Sequence, residues 1–457
     1  MSLRIEEHSI YFLGIGGIGM SALARYFIIK GYKVHGYDRT PTSLTASLEK
    51  EGMIIHYKEN SDLIPAETGL VIYTPAIPAS NSELQYLQKS GVRMMKRAEV
   101  LGMLSSEYQT IACAGTHGKT TTSSMVSYLL QQSHVGCQAF LGGISRNFDS
   151  NLVISETSRF MVVEADEYDR SFHQLHPFIA IITSIDSDHL DIYNNLAAVH
   201  EAFSIFTGKI VSQGSLIIKK GLRLPLDLPA DGNVYRYAVN EEADFYATDL
   251  RLINNLYHFD LTYPNGKINN LVLGIPGLYN VENAVAAMAA AILAGATPEE
   301  ISKGLAEFTG VKRRFDIRVN GNNIVYIDDY AHHPEEMKAC ISSARDMFPD
   351  RKLTGIFQPH LYSRTRDFAA EFAQSLSLLD EVLLLPVYAA RELPIPGIDS
   401  EMLLSLMNHP NKHLVQKADI PAYFADKHTE VLITMGAGDI DTLVEPIENF
   451  FMTTNIQ

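Results

Sequence analysis

One short segment of this 457-residue chain constrains its fold more than any other: residues 111–122, which read IACAGTHGKTTT. An apolar lead-in precedes a glycine turn, and Gly118, Lys119 and Thr120 then begin a stretch with apolar residues at helical spacing. A strand, a glycine turn and a helix N-terminus form a cradle of backbone N–H groups for phosphate oxygens. The lysine would neutralise the terminal phosphates, and the threonine hydroxyl would face Mg²⁺. The segment therefore predicts binding of ATP or GTP.

This loop departs from the commonest pattern of its kind. That pattern has a glycine five residues before Gly118, where this chain has Cys113, so the motif is a shorter form, GTHGKT. The alternative is an ordinary helix that happens to begin with Gly-Lys-Thr, and the strand-like segment before the turn disfavours it. The nucleotide-binding residues predicted at this loop are Gly115, Thr116, His117, Gly118, Lys119, Thr120 and Thr121.

The composition is that of a globular chain of several domains. A length of 457 residues exceeds one ordinary core and suggests two to four domains. The 37 basic and 53 acidic residues give a net charge of −16, which disfavours a nucleic-acid or anionic-membrane partner. Three cysteines without paired spacing are typical of a reducing compartment. The N-terminus does not resemble a secretory signal and no apolar run is long enough to span a bilayer, so we expect a cytoplasmic enzyme.

Strand and helix patterns alternate along the chain, which predicts parallel sheets covered by helices. Residues 9–38 predict a strand, a glycine turn, a helix and a second strand, and a helix at 96–108 leads out of this first unit. A second α/β unit begins at the phosphate loop and includes an antiparallel edge within 244–273. A third unit begins near 310–314. The other strands are expected at 69–74, 92–95, 159–164, 178–185, 324–328, 353–357, 381–386 and 431–435.

A second glycine loop follows the first predicted strand. Gly14, Gly16 and Gly19 form the pattern G-x-G-x-x-G, and Asp38 ends the next strand about 20 residues on, as in dinucleotide-binding folds. Alone, this pattern favours a nicotinamide dehydrogenase. The loop specifies only a diphosphate at a helix N-terminus, however, and a uridine diphosphate sugar carries the same group. The alternative is that the glycines only allow close packing of strand and helix.

Acidic residues follow the strand expected at 159–164. Glu164, Asp166, Glu167 and Asp169 lie within VVEADEYDRSFH, and a carboxylate at the end of a strand beside the phosphate loop can hold Mg²⁺. We choose Glu164 because it is the first acidic residue after the apolar run. His189 follows the next strand and would lie at the same edge, although Mg²⁺ prefers oxygen ligands, and a lone histidine is often structural.

Seven motifs together resemble those of the Mur ligase family, in order and along nearly the whole chain. They are GTHGKTTT, EADE, DHLD, NVENA, RRFD, DDYAHHP and FQPHLYSRTRDF. The resemblance implies an α/β chain of three domains. These would be a Rossmann-like UDP-sugar domain at 1–102, a central P-loop ATPase-type domain at 103–310, and a Rossmann-like C-terminal domain at 311–457 that binds the amino acid and closes over the site.

The resemblance also implies an activity. Within the family, GIGGIGMSALA and VYAARELPIPG are similar to the branch that joins L-alanine to the lactyl carboxylate of UDP-N-acetylmuramate. That reaction uses ATP and Mg²⁺, passes through an acyl phosphate, and belongs to peptidoglycan precursor synthesis. The alternative is a recycling ligase that adds a tripeptide to the same sugar nucleotide. A dehydrogenase would leave the phosphate loop without a role, and a regulatory GTPase would release phosphate without an acceptor. The joint presence of Lys119, Glu164 and His189 disfavours a non-catalytic nucleotide-binding protein. The sequence leaves open whether the chain is a monomer or a homodimer.

The family roles carry over to matching positions of this chain. Lys119 would grip the phosphates, while Thr120, Glu164 and His189 would bind magnesium. Histidine ordinarily titrates close to neutral pH, so His332 would be suited to accepting the proton of the incoming amine. The remaining assignments are Asn280, Asn283, Arg314 and Asp329 for ATP, Gly14, Gly16, Gly17, Gly19 and Asp38 for the UDP sugar, and Tyr330, His332, His360 and Arg364 for the amino acid.

Two positions depart from the family pattern. Tyr279 stands where the alanine-adding members often have histidine, which puts the contact with adenine in question. Leu361 stands where they often have arginine, so recognition of the alanine carboxylate would rest more on Arg364 or Arg366.

Overall fold

A computed structural model describes residues 9–186, 190–193, 195–390, 392–425 and 427–454. The described chain forms three β-sheets within two compact units. The first unit runs up to Arg251 and includes His258–Gly274 and Val281–Gly310. The second contains Leu252–Tyr257, Ile275–Asn280 and the chain from Val311 onward. None of the described helices is both long and apolar enough to cross a membrane.

The first sheet is parallel and begins the first unit. Its strands are β1 (Ser9–Leu13), β2 (Lys33–Tyr37), β3 (Ile54–His56), β4 (Thr68–Tyr73) and β5 (Met94–Lys96). Its helices are α1 (Ile18–Ile29), α2 (Ser43–Lys50), α3 (Ser82–Ser90) and α4 (Arg97–Ser105). The spatial order β3-β2-β1-β4-β5 changes direction between β1 and β4, where open α/β sheets bind ligands. The predicted strand, turn, helix and strand of residues 9–38 are confirmed.

The central sheet has ten strands in the order β15-β14-β13-β12-β11-β10-β6-β9-β7-β8. They are β6 (Gln109–Ala114), β7 (Gln138–Ser145), β8 (Ser150–Val153), β9 (Phe160–Glu164), β10 (Ile179–Ile182), β11 (Ser215–Lys219), β12 (Asn233–Val239), β13 (Phe245–Ile253), β14 (Leu256–Tyr263) and β15 (Gly266–Val272). The helices are α5 (Lys119–Gln131), α6 (Leu190–Tyr193), α7 (Leu196–Thr207), α8 (Leu278–Ala294) and α9 (Pro298–Glu307). The antiparallel edge expected within 244–273 is confirmed. β14 and β15 pair antiparallel, but β13 pairs parallel with β12.

The third sheet lies in the second unit. Its strands are β16 (Asp316–Asn320), β17 (Val325–Asp329), β18 (Leu353–Phe357), β19 (Glu381–Leu384), β20 (Lys412–Leu414) and β21 (Val431–Met435). They lie in the order β16-β17-β21-β18-β19-β20, and only β16 runs antiparallel to its neighbour. The helices are α10 (Pro334–Met347), α11 (Tyr362–Asp367), α12 (Ala369–Leu376), α13 (Ser400–Leu406), α14 (Ile420–Ala425) and α15 (Val444–Thr454).

Apolar packing explains why the first two sheets belong to one unit. One continuous core joins residues of β1 and α1 to residues of β6, β9 and β10. The third sheet instead has a core on each face, one against α10 and α12 and the other against α14 and α15. The three cysteines, Cys113, Cys137 and Cys340, are free thiols and are all buried.

Candidate active site

The phosphate loop connects β6 to α5 and is shaped by two glycines with left-handed backbone conformations. Gly115 has a φ of 134°, and a Cβ there would lie 2.0 Å from the hydroxyl oxygen of Thr183. Gly118 has a φ of 83° and precedes the first residue of α5. A side chain at either position would be strained or would collide with its neighbour, so the turn needs glycine at both.

Hydrogen bonds hold the loop against the segment that follows β10. The N–H of Thr116 donates to the carbonyl of Ser184 at 3.1 Å, and the N–H of His117 donates to the Ser184 hydroxyl at 2.8 Å. The N–H of Asp186 donates to the Thr116 hydroxyl at 2.9 Å. The loop is therefore built into the carboxyl edge of the central sheet, where α/β folds place ligands.

The beginning of α5 suits an anion. No side chain caps the helix, and its first turn contains no acidic residue. The first N–H groups of a helix have no partner within the helix and carry the positive end of its dipole. These N–H groups, together with Lys119 as the first helical residue, make the loop a site for phosphate oxygens.

Lys119 forms a buried ion pair with a residue that was not assigned a role from the sequence. Its ammonium lies 2.9 Å from the carboxylate of Glu167, whose side chain is only 3 % exposed. Burial alone would lower the pKa of Lys119, but the nearby carboxylates of Glu167, Glu164 and Asp166 outweigh it and raise that pKa. Burial raises the pKa of Glu167 to about 7, although Lys119 opposes the shift. The lysine is therefore charged, and in this structure its ammonium is paired with Glu167.

Glu164 is the last residue of β9, in register with Cys113 at the end of β6. One of its carboxylate oxygens is buried and has no hydrogen-bond partner within the described part of the chain. An unsatisfied buried carboxylate oxygen is the kind of ligand that Mg²⁺ prefers, so this residue fits the metal role predicted for it. Thr120 directly follows Lys119 in the first turn of α5 and is buried.

The third predicted metal ligand, His189, lies outside the described residues. Among the residues that the structure does describe, no group of three histidine, cysteine, aspartate or glutamate side chains is arranged around a common point. The magnesium site therefore remains a prediction, supported on this chain by Glu164.

The first glycine loop lies at the switch point of the first sheet, between β1 and α1. Gly14 has a φ of 86°, and α1 begins after Gly17 without a capping side chain. Asp38, predicted to bind ribose, accepts a 2.8 Å hydrogen bond from the N–H of Gly16 and a 3.2 Å bond from the N–H of Thr40. Its carboxylate thus also supports the loop itself.

A cavity links this loop to the carboxylate of Glu164. It is lined by Gly19, Arg97, Gly142, Glu164 and Asp166, among others. The guanidinium of Arg97 donates to Asp166 at 3.0 Å, and a Cβ at Gly19 would lie 2.5 Å from it. Sequence reasoning assigned no role to this arginine, although its position directly after β5, at a carboxyl edge, was a usable signal. Gly142 lies in no recognisable motif and could not have been found.

The two predicted adenine-binding asparagines occupy different environments. Asn283 of α8 lies against the phosphate loop. Its carboxamide oxygen would be only 2.5 Å from a Cβ built at Gly118. Asn280, in the other unit, donates to the carbonyl of Pro276 at 2.6 Å and is 2 % exposed. Its amide therefore stabilises the turn before the first residues of α8.

In the second unit, aromatic and imidazole rings gather after β17 and β18. The ring of His332 lies 5.2 Å from that of Tyr330 and 6.3 Å from that of His360. His360 in turn stacks on Tyr388 at 5.8 Å. The predicted amino-acid residues Tyr330, His332 and His360 are thus brought together within one unit. Nδ1 of His332 lies 3.0 Å from the carbonyl of Tyr330, which places a proton on Nδ1 and makes Nε2 the basic nitrogen.

Three further predicted residues lie in the same unit. Arg314 lies 5.0 Å above the ring of Tyr330, at cation–π distance. Asp329 is buried, which raises its pKa to about 7, and its two oxygens accept hydrogen bonds from the N–H groups of Phe315 and Ala331. Arg364 is 9 % exposed and lies on α11, which begins after Leu361. Leu361 has a φ of 71°, a conformation that leucine rarely adopts.

Comparison with known protein families gives three matches, one after another along the chain. Residues 9–109 match the Mur ligase family, catalytic domain; residues 113–291 match the Mur ligase middle domain; and residues 313–438 match the Mur ligase, glutamate ligase domain. This chain belongs to the Mur ligase family.

Several relatives are ligases that add L-alanine, by name. The UDP-N-acetylmuramate–L-alanine ligase of Parabacteroides distasonis is 51 % identical over 446 residues, which cover 96 % of each chain. The ligase of that name from Flavobacterium johnsoniae is 46 % identical over 97 % of this chain and 98 % of the relative. Among solved structures, the UDP-N-acetylmuramate-alanine ligase of Thermotoga maritima has a TM-score of 0.84 and 28 % identity, covering 98 % of this chain and 99 % of that one. A murein peptide ligase from Psychrobacter arcticus has a TM-score of 0.72 at 22 % identity, covering 97 % of this chain and 98 % of that one, and shows the fold alone.

Proposed function

We propose that this chain joins L-alanine to the lactyl carboxylate of UDP-N-acetylmuramate and converts ATP to ADP and phosphate, as a step in peptidoglycan precursor synthesis. The UDP-N-acetylmuramate–L-alanine ligase of Parabacteroides distasonis is 51 % identical to this chain over 96 % of its length. The observation on this chain that carries the proposal is one cavity, lined by Gly19 of the first glycine loop and by Glu164 beside the phosphate loop. A sugar nucleotide and a nucleoside triphosphate would thus be bound on either side of the same carboxylate.

The chemistry explains why two nucleotide sites are needed. A carboxylate does not react with an amine at neutral pH, because it is an anion without a leaving group. Transfer of the γ-phosphoryl group of ATP to the lactyl carboxylate gives an acyl phosphate, from which phosphate departs when the amine attacks. Two anions must approach each other in the first step, and Lys119 supplies positive charge at that point. Bound Mg²⁺, held by Thr120, Glu164 and His189, would neutralise further phosphate charge.

The second unit supplies groups suited to an amino acid. We assign the alanine to the group formed by Tyr330, His332 and His360, with Arg364 for its carboxylate. Nε2 of His332 is the basic nitrogen and would take a proton from the ammonium group, since only the neutral amine is a nucleophile. The three free, buried thiols are typical of a reducing compartment, which supports a cytoplasmic location.

Phosphate release provides the direct test. With ATP, Mg²⁺ and UDP-N-acetylmuramate present, we expect release only when L-alanine is added, and heavy oxygen placed in the lactyl carboxylate should appear in the phosphate. A panel of amino acids and a tripeptide would identify the acceptor. Release that requires the tripeptide, or phosphate without the heavy oxygen, would contradict the proposal.

The phosphate loop is tested by one substitution. Lys119→Ala should lower turnover by about a hundredfold or more, because the charge that the lysine supplies acts in the transition state. Lys220→Ala is the matched control, since Lys220 pairs with Glu241 at 2.7 Å on a partly exposed surface of the same unit. Equal activity of the two variants would show that the loop is assigned wrongly.

A further inference from the structure

The ammonium group of Lys119 has all of its hydrogen-bonding capacity in use. Its nitrogen donates to the carbonyl of Gly115 at 2.7 Å, to the carbonyl of Thr116 at 3.2 Å and to the carboxylate of Glu167 at 2.9 Å. A lysine ammonium has three N–H donors. A phosphate oxygen can therefore reach this lysine only if one of the three acceptors gives up its place.

Glu167 is the acceptor that a phosphate resembles. Two of the three acceptors are neutral carbonyls of the loop itself, whereas Glu167 is a buried carboxylate, paired with the ammonium, on the segment that follows β9. Charge-assisted bonds are roughly twice as strong as neutral ones, so this carboxylate is the main competitor for the ammonium.

Two hydrogen bonds constrain the backbone of Glu167. Its carbonyl accepts hydrogen bonds from the hydroxyl of Tyr193 at 2.5 Å and from the N–H of Arg170 at 2.9 Å. Asp169 and Arg170 have φ values of 52° and 53°, which are strained for residues other than glycine. These two residues begin two positions after Glu167, so the backbone on its C-terminal side is constrained.

We propose that Glu167 is a positioning residue that holds Lys119 in the nucleotide-free enzyme and competes with the phosphates of the nucleotide for it. The inference rests on the proposed function, in that ATP binds at this loop. The pair keeps the ammonium ordered and charged before ATP arrives. When ATP binds, its phosphate oxygens replace the carboxylate of Glu167 at the ammonium. Breaking the ion pair lowers the affinity for nucleotide, but the geometry of the loop is preserved.

The test is a double-mutant cycle on nucleotide affinity. We would measure the Kd of ADP without magnesium, so that Glu164 and the metal do not contribute, for the wild type, Glu167→Gln, Lys119→Met and the double variant. Glutamine keeps the size of the side chain but removes its charge. We expect Glu167→Gln to bind ADP at least about fivefold more tightly, the scale of one charge-assisted hydrogen bond after partial compensation. In the Lys119→Met background the same substitution should have no effect.

Asp166→Asn is the matched control. Asp166 is the neighbouring carboxylate, but it bonds Arg97 instead of Lys119. If the gain came only from removing a negative charge near the phosphates, both variants would show it. We expect less than a twofold change for Asp166→Asn.

Each outcome supports or overturns the proposal. Unchanged or weaker ADP binding by folded Glu167→Gln, or an equal gain in Asp166→Asn, would overturn it. If Glu167→Gln fails to fold, Glu167→Asp replaces it, because the shorter carboxylate loses contact with the ammonium and should give a smaller gain. Failure of the proposed function is distinguishable, since Lys119→Met alone would then leave ADP binding unchanged.

Discussion

At the scale of single residues, the position of Glu164 depends on a glycine in the neighbouring strand. A Cβ at Gly142 of β7 would lie 2.1 Å and 2.5 Å from the two carboxylate oxygens of Glu164. Gly142 is not in a left-handed conformation, so alanine is compatible with its backbone. The carboxylate is the mobile end of its side chain, and it would move before the strand does.

We therefore expect Gly142→Ala to fold normally but to lose activity. The displaced carboxylate would hold magnesium less well, so turnover should fall by about tenfold to a hundredfold and the magnesium concentration needed for half-maximal activity should rise. Measurements are activity against magnesium concentration, with thermal unfolding to check the fold. Glu164→Gln should shift the magnesium requirement in the same direction. A Gly142→Ala variant with wild-type magnesium dependence would argue against Glu164 as a ligand.

Local sequence patterns were sufficient to predict the two glycine loops, but they did not predict the roles of the residues around them. The phosphate loop is contiguous in sequence, so its glycines, lysine and helix could be recognised together. Glu167 acts through Lys119, 48 positions away, and Arg97 bonds Asp166, 69 positions away. No periodicity or motif connects such pairs, because their proximity results from strand order. Their roles could be assigned only once the sheet was known.

At the scale of elements, the β7–β8 hairpin contacts α1, the helix that follows the proposed sugar-nucleotide loop. Asn151 of β8 is fully buried and donates to the carbonyl of Ile18 at 2.6 Å and to the Ser21 hydroxyl at 2.9 Å. Its carboxamide oxygen accepts a bond from Arg25 at 2.5 Å. All three partners lie on α1, so one side chain of the central sheet orients the N-terminal turns of that helix.

Asn151→Ala should loosen this contact. Three buried polar groups would lose a partner, and the free energy of unfolding should fall by about 1–3 kcal/mol. Because α1 carries the first glycine loop, the KM for UDP-N-acetylmuramate should rise more than the KM for ATP. Asn147→Ala is the control, since Asn147 lies on the same hairpin but bonds the carbonyl of Glu307. Equal effects of both variants on the sugar-nucleotide KM would contradict this role for Asn151.

Sequence patterns predicted which segments are strands better than how the strands pair. Apolar runs predicted four of the six strands of the third sheet closely, including β18 and β21, and missed the two edge strands β16 and β20. The run at 244–273 contains the expected antiparallel pair of β14 and β15, but no pattern predicted that its first strand, β13, would pair parallel with β12. Alternation of polar and apolar residues indicates that one face is exposed, and an exposed face occurs with either orientation at the end of a mixed sheet. Orientation depends on the connection, which the pattern does not contain.

At the scale of the whole molecule, the second unit is stabilised by a buried charged group of its own. Glu381 begins β19 and is 6 % exposed. Its carboxylate accepts hydrogen bonds from Tyr423 at 2.6 Å and from Lys427 and Lys352, each at 3.0 Å. Burial would raise the pKa of Glu381, but these three donors outweigh it and lower the pKa to about 2.

This shift predicts a pH-dependent stability. Since the pKa is lower in the folded state than the ordinary value of 4.5, the carboxylate stabilises the fold above pH 4.5 and the contribution is lost as pH falls towards 2. Glu381→Gln should therefore destabilise the second unit by about 2 kcal/mol at pH 7 and by progressively less below pH 4.5. Hydrogen exchange of β18 and β19 would measure the difference. The control is Glu371→Gln, at an exposed position in α12. A destabilisation by Glu381→Gln that increased towards low pH would contradict this prediction.

The domain boundaries expected near 102 and 310 remain predictions. The first two sheets share one core, so a boundary near 102 would separate segments that pack together. Composition and motif order cannot reveal such sharing, because they report the order of segments along the chain and not which apolar faces meet.

The distribution of the three thiols has a practical consequence. Cys113 and Cys137 lie in the first unit and Cys340 in the second, and burial raises the pKa of each. An alkylating reagent attacks the thiolate, so it would modify these side chains only when the surrounding structure opens. Mass spectrometry of the labelled peptides would then record opening of the two units independently, in one sample and without any introduced probe.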